Sequence, residues 1–320
     1  MSNKMLTNKD KYRLLCKNEP SIPIFSKDWW LDSVAGDAWD VVLVEKGDGI
    51  HASLPYIKSI RFGLTILGMP KLTQNLGPWI KPHESSSSKL LAREKELMQY
   101  LIDGLPKYHY FNQNWHYSIK NWLPFYWNGF AQTTRYTYVI NDLTDLEKVF
   151  SEFDHAKRKN IKKAEKVVDV VFDISPEVFY ENHKMTLAKQ GSEIVYPYEL
   201  FKKIHDSAYE NNSGRTIAAY DKDGNLHCAL FVIWDEMSAY DLISTIDPKY
   251  RNIGAVSLLI KEIIAYVSTF VNKFDFEGSM IEPVERSFRQ FGAVQTPYFS
   301  ISKTNSKLIK TYRFLQEIRK

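Results

Sequence analysis

The sequence predicts an α/β chain of two related modules, each a mixed sheet flanked by helices. Two paired observations carry this. Residues 40–45 and 49–57 read as strands on either side of Lys46-Gly47-Asp48-Gly49, and residues 215–220 and 226–234 repeat the plan around Asp221-Lys222-Asp223-Gly224. Helical stretches accompany both hairpins: 85–105 in the first half, with a serine-rich start and Gly104 and Pro106 at its end, and 176–190 and 198–211 in the second. A chain of 320 residues is long enough for two cores. The expected boundary gives modules 1–150 and 151–320, with a basic helical segment at 154–167 opening the second.

Composition narrows the class. Lys and Arg number 42 against 38 Asp and Glu, a formal charge of +4, so overall charge alone points to no nucleic-acid partner. Cys16 and Cys228 are the two cysteines; they lie far apart with no metal-ligand or disulfide spacing, which fits a reducing compartment and no metal. Residues 1–13 are polar, and no run approaches the roughly 20 apolar residues that cross a bilayer. The expectation is a cytoplasmic chain, with docking on a membrane surface left open.

The densest signal lies between Tyr240 and Ile301. A buried strand, Tyr240-Asp-Leu-Ile-Ser-Thr-Ile246, leads through Asp247-Pro-Lys-Tyr-Arg-Asn-Ile-Gly-Ala-Val256 into a helix whose Val256, Leu259, Ile260, Ile263, Ile264 and Val267 form an apolar stripe. Unpaired amides and the positive end of the dipole make such a helix start attractive to phosphate, and Lys249 and Arg251 add charge at its mouth. The alternative is an ordinary strand-to-helix connection in which Gly254 only relieves crowding. Further on, Phe274-Asp-Phe-Glu-Gly-Ser279 alternates, which predicts Asp275 and Glu277 on one strand face and the two phenylalanines on the other, with Gly278 ending the strand at a close backbone approach. Buried together, the acids would push one pKa toward neutrality and suit a general base; exposed, they would be a solvated face.

Two other clusters stand out. Aromatic residues crowd 108–138, where Trp115, Tyr126 and Trp127 would line a groove for a sugar or other ring-bearing substrate, unless they are core; His109 and His116 among them read as satisfied polar groups. The segment Asp154-His-Ala-Lys-Arg-Lys-Asn-Ile-Lys-Lys-Ala-Glu-Lys166 carries more cations than local acids can pair, so Lys157, Arg158 and their neighbours form either a grip for a phosphate-rich ligand or a solvated helix face.

The order of the basic helix, Tyr250-Arg-Asn-Ile-Gly-Ala-Val, Phe274-Asp-Phe-Glu-Gly-Ser and Phe288-Arg-Gln-Phe-Gly resembles the FemAB-like branch of the GNAT acyltransferase superfamily. Trp29-Trp30, Ala52-Ser-Leu-Pro-Tyr and Pro70-Lys-Leu-Thr-Gln-Asn-Leu-Gly-Pro extend the likeness to the first half, toward FemAB-like proteins of bacterial surface-polysaccharide clusters. The resemblance covers roughly residues 25–301. It implies two tandem GNAT-like domains, with Ser244, Thr245 and Ile246 lining a donor channel and Arg251, Asn252, Ile253, Gly254, Ala255 and Val256 holding donor pyrophosphate. Three positions depart from the family pattern: Val256 stands where Gly or Ala closes the turn, Arg289 where Lys is common, and Glu277 where a glycine is frequent.

The implied activity is N-acyl transfer from acyl-coenzyme A, as co-substrate, to an amine of an amino sugar or envelope glycan precursor. Asp275 or Glu277 would be the base, and Arg289 would steady the oxyanion. Gln74, Asn75, Trp115, Tyr126, Trp127, Lys157 and Arg158 would contact the substrates. Two other readings go with the same residues: transfer of an aminoacyl group from tRNA, which the basic helix suits, and a scaffold protein that has lost its donor site.

Overall fold

The computed structural model of the chain describes residues 6–47, 49–278 and 280–318. Asp48 of the first hairpin loop and Ser279 of the acidic motif lie outside the described residues. Contacts divide the chain into one unit of residues 1–135 and 297–320 and a second of 136–296. The sequence suggested a single cut near 150; instead the chain passes from the first unit to the second and back again.

In the first unit, α1 (Asn8–Asn18) begins with a reciprocal cap, in which the Thr7 hydroxyl accepts from the Asp10 amide and the Asp10 carboxylate accepts from the Thr7 amide. Next come α2 (Asp28–Ala35), the hairpin β1 (Trp39–Lys46) and β2 (Gly49–Arg61), β3 (Leu64–Gly68), and the short β4 (Trp79–Ile80), which returns to pair with β2 at Ala52 and Ser53. Helix α3 (Ser87–Asp103), β5 (Tyr110–Asn114) and α4 (Leu123–Trp127) complete its first pass. β5 lies parallel to β3, whereas β1, β2 and β3 are antiparallel. Alternation along β1 splits the core: Val42 and Val44 pack with Leu97, Met98, Leu101 and Phe111, while Trp39 and Val41 pack with Tyr12, Leu31 and Trp79.

The chain enters the second unit along β6 (Ala131–Ile140), followed by α5 (Leu146–Ser151), α6 (His155–Ala164), β7 (Val168–Phe172), α7 (Pro176–Lys189) and α8 (Tyr198–Glu210). The strands β8 (Gly214–Asp221), β9 (Leu226–Trp234) and β10 (Ala239–Ile246) form an antiparallel meander. The β8–β9 loop closes because Asp221 accepts from the Asp223 and Asn225 amides. A 3-10 turn, Pro248–Ile253, then leads to α9 (Ala255–Val267), β11 (Phe274–Asp275) and α10 (Glu282–Arg289). Strand β12 (Val294–Thr304) returns to the first unit, where residues 300–304 pair antiparallel with β5, and α11 (Lys307–Ile318) follows.

Within the second unit the strands lie in the order β6-β11-β10-β9-β8-β7. β9 is buried along nearly its whole length, because helices cover both of its faces. Leu230, Val232 and Trp234 meet Leu259, Ile263 and Ile264 of α9, while Phe231 packs against Phe201 of α8, itself stacked on Phe179 of α7 at 5.2 Å. Each unit thus has a mixed sheet with helices on it, as the sequence predicts.

The acidic motif differs from its expected form. β11 stops after Asp275, and Glu277 sits at φ 56°, so the alternation that would put both acids on one strand face breaks. For a residue with a Cβ that conformation costs roughly 1–2 kcal/mol. The next residue is left-handed as well and tightly placed: a Cβ on Gly278, at φ 50°, would stand 2.2 Å from the Tyr136 carbonyl oxygen. Gly278→Ala is therefore expected to cost about 2 kcal/mol or more in urea unfolding; an unchanged midpoint would contradict the close approach.

Candidate functional site

The site of the second unit forms where two parallel strands part. β10 and β11 pair only at Ala239↔Phe274 and Tyr240↔Asp275, while β10 continues to Ile246 with β9 along its other edge. Asp275 thus stands at the fork, flanked by Tyr240 on β10 and Val139 on β6. The position is 3 % exposed. The Thr137 hydroxyl donates to Asp275 Oδ1, and the Glu277 amide donates to the same oxygen at 2.8 Å. Burial pushes the Asp275 pKa up to about 7, against the lowering effect of those two donors. Glu277 is buried as well, at 6 % exposure. The two acids are therefore interior groups and not a solvated strand face.

A further buried acid beside the fork was missed in the sequence. Asp241 is 7 % exposed, its Oδ2 accepts from the Ser244 hydroxyl at 2.7 Å, and its Oδ1 is buried without a hydrogen bond. Burial pushes its pKa up to about 6. Asp241 and Ser244 are three apart, which in a regular strand would put them on opposite faces; a bulge between Asp241 and Ile243 shifts the register and brings them together. The available signal was an acid set among Tyr240, Leu242 and Ile243.

The expected donor residues divide. Ser244 is exposed beside the fork, but the Thr245 side chain is tied to α7, 2.7 Å from Thr186 Oγ1 and 3.0 Å from Asn182 Oδ1. The turn before α9 is crowded. Gly254 lies so close to α6 that a Cβ would meet Asn160 Cβ at 2.6 Å; Ala255 is buried, Ile253 and Val256 are half-buried, and Lys163 Nζ donates to the Asn252 carbonyl at 2.6 Å. Arg251 and Asn252 are exposed. The turn is pinned from below as well: Lys189 pairs with Asp247 at 2.6 Å, and Tyr250 stacks on His227 at 3.9 Å.

Three other expectations need correction. Lys157 does not face solvent for a ligand: it is 9 % exposed, donates to Ser287 Oγ at 2.8 Å, and lies 4.2 Å from the Phe291 ring centre. Burial lowers its amine to about 8, because the charged form loses its water. Arg289 is 66 % exposed on its side chain and paired with Glu285 at 3.0 Å, one helical turn away, so its charge is partly engaged at the surface. Trp115, in the first unit, is core: wholly buried and edge-on to Phe125 at 4.7 Å.

The remaining candidates keep accessible groups. On α6, Arg158 is exposed and donates to the Ser151 carbonyl, and Lys159, Lys162, Lys163 and Lys166 are exposed along and just past the same helix. In the first unit, Tyr126 and Trp127 are each 58 % exposed, with Lys95 lying 5.1 Å over the Trp127 ring. Gln74 and Asn75 are half-buried there; the Gln74 carbonyl accepts from Asn114, and Asn75 Oδ1 is buried without a hydrogen bond. Trp115, Tyr126 and Trp127 therefore belong to a different unit from Asp275. Among the described residues no cluster of His, Cys, Asp and Glu is arranged to hold a metal ion.

With mixed strands flanked by helices in each unit, and parallel strands forking before a helix-start turn, the chain shares the fold of FemX. FemX superposes with a TM-score of 0.69 at 10 % identity, over 93 % of this chain and 97 % of FemX. The C-terminal domain of a putative lysylphosphatidylglycerol synthetase from Agrobacterium fabrum gives 0.55 at 10 % identity, over 93 % of each chain. L-PGS from Bacillus licheniformis gives 0.51 at 10 %, over 87 % of this chain and 88 % of that one. No family model and no curated protein matches the chain in sequence. Identities this low carry the fold alone, so the chemistry is argued from side chains.

Asp275 makes stability depend on pH. Its folded pKa of about 7 lies above the ordinary 3.8, so the folded protein keeps a proton that the unfolded chain gives up between those values. Below that window Asp275 has no effect; through it, stability falls as pH rises, and above it the loss is complete. Asp275→Asn should therefore gain on the wild type, by on the order of a few kcal/mol, between about pH 4 and about pH 8 in denaturant titrations. Parallel pH profiles would show that the carboxyl titrates normally.

Proposed function

We propose that this chain is an N-acyltransferase in which Asp275 serves as the general base. The observation that carries the reading is the buried Asp275 carboxyl at the β10–β11 fork, raised to about 7 and held by Thr137 and the Glu277 amide. An incoming ammonium must lose a proton before its lone pair attacks the donor carbonyl. A carboxylate with pKa near the working pH accepts that proton, directly or through one water, and can release it again after the tetrahedral intermediate collapses. The acyl group then sits on the amine as an amide, and the carrier leaves with the donor's oxygen or sulfur. A covalent enzyme intermediate is not required.

For the donor, the exposed Lys159, Lys162, Lys163 and Lys166, with Arg251 on the adjoining turn, favour a carrier rich in phosphate. The close packing of Asn160 on Gly254 leaves less room for a compact pyrophosphate cradle, and a basic strip suits an extended backbone. We therefore favour aminoacyl-tRNA over acyl-coenzyme A as the donor, with an amine of a glycan or other envelope precursor as acceptor.

The test is transfer assayed with radiolabelled aminoacyl-tRNA and with acetyl-coenzyme A against a panel of amino sugars and peptides. Asp275→Asn is expected to lower kcat by roughly 10²–10⁴-fold with KM little changed. The wild-type rate should rise with pH through about 7, because the base works only when ionised. Full turnover by the amide variant would remove Asp275 from the chemistry, and transfer from acetyl-coenzyme A alone would reverse the choice of donor. A protein that binds neither donor would be a scaffold.

A further inference from the structure

The first unit has a large cleft of its own, with a volume of about 800 Å³. Its walls come from the segment before and through β4, the first turns of α3, and residues 116–123 leading into α4. Its apolar wall is more aliphatic than aromatic, with Leu76, Ile80, Leu90, Met98 and Ile119 beside the rings of Trp79, Trp122 and Phe299, and polar side chains make up much of the rest. Such a surface is shaped for flexible hydrocarbon, since flat stacking platforms are a minority of the wall and methyl-bearing chains fill irregular gaps. Leu91 lines the cleft too and is 56 % exposed, so apolar surface continues out to the mouth.

Charge around the cleft has one sign in excess. Lys81, Arg93 and Lys120 contribute to its lining against a single acid, Glu94, which accepts from the Asn121 side chain at 3.1 Å. Arg93 is positioned by its contacts: one guanidinium nitrogen donates to the Lys81 carbonyl at 3.0 Å, and another lies 3.3 Å from His51 Nδ1. An apolar trough beside three cations selects a molecule with a hydrocarbon chain and an acidic head. Volume sets the scale, because 800 Å³ is in the range of pockets that enclose a drug-sized ligand and not only a headgroup.

We propose that this cleft binds a single-chain anionic amphiphile, its alkyl chain on Leu76, Ile80 and Met98 and its acidic head among Lys81, Arg93 and Lys120. The site lies wholly within the first unit and does not depend on transfer at Asp275.

Decyl phosphate, used below its micelle concentration, is the probe. Calorimetry should give one site per chain, while inorganic phosphate alone and uncharged decanol should each bind at least about ten-fold more weakly, because each lacks half of the recognised chemistry. Leu91→Asp, at an exposed position, and Lys120→Glu should each weaken decyl phosphate binding by about five-fold or more, with thermal unfolding unchanged to show that the fold is intact. Asp275→Asn should bind as the wild type does. No heat from decyl phosphate, or binding that ignores both cleft variants, overturns the proposal. So does co-sedimentation with phosphatidylglycerol vesicles that survives both cleft variants while decyl phosphate fails to bind, since that outcome would make the feature a surface for bilayers.

Discussion

The second unit depends on a parallel ladder only two pairs long. Had β11 continued beside β10, the edge of β10 beyond Tyr240 would be spent on strand pairing and Asp275 would be one more residue in a closed sheet. Its shortness follows from what comes next. Glu277 and Gly278 take left-handed conformations, and Gly278 runs against the Tyr136 backbone, so the chain cannot remain extended. The same turn delivers the Glu277 amide to Asp275, so the feature that ends the strand also supplies one of the two hydrogen bonds on its carboxyl.

Much of this was legible in the sequence for physical reasons. The two hairpins announced themselves through acidic, glycine-containing loops, and α9 through a stripe of Leu259, Ile260, Ile263 and Ile264 repeated at helical spacing. Asp275 could be nominated because an acid between two phenylalanines is costly unless used. Its partner Thr137 could not, since it lies 138 positions earlier in the chain and only the antiparallel pairing of β6 with β11 brings the two together. The Asp241–Ser244 pair was hidden for a different reason: regular alternation puts the two residues on opposite faces, and no local pattern marks the bulge that reunites them.

Lysine 157 shows how a charge run can mislead. Six cations within ten residues look alike as letters, yet a helix turns each to a different side, and the one that faces the core is the one that touches Phe291 and Ser287. Its neighbours Arg158, Lys159, Lys162 and Lys163 remain outside. A basic helix therefore does two jobs: one amine joins α6 to α10 in the interior, and the others set the potential over the turn before α9. Trp115 is the aromatic counterpart, a ring absorbed into packing while Tyr126 and Trp127 of the same cluster stay in water.

Because the chain leaves the first unit in β6 and re-enters it in β12, that unit is interrupted by the whole of the second. Its β5 edge receives Ser300–Thr304 only after about 190 further residues have been made, which at roughly 5–20 residues per second is on the order of 10–40 s of synthesis. Residues 136–296 are contiguous and can fold as they emerge, whereas the first unit must wait with the edge of β5 unpaired. On the ribosome, then, the later-encoded unit is the first that can be completed, and the earlier-encoded one is the more exposed to mispairing and to recruitment of chaperones.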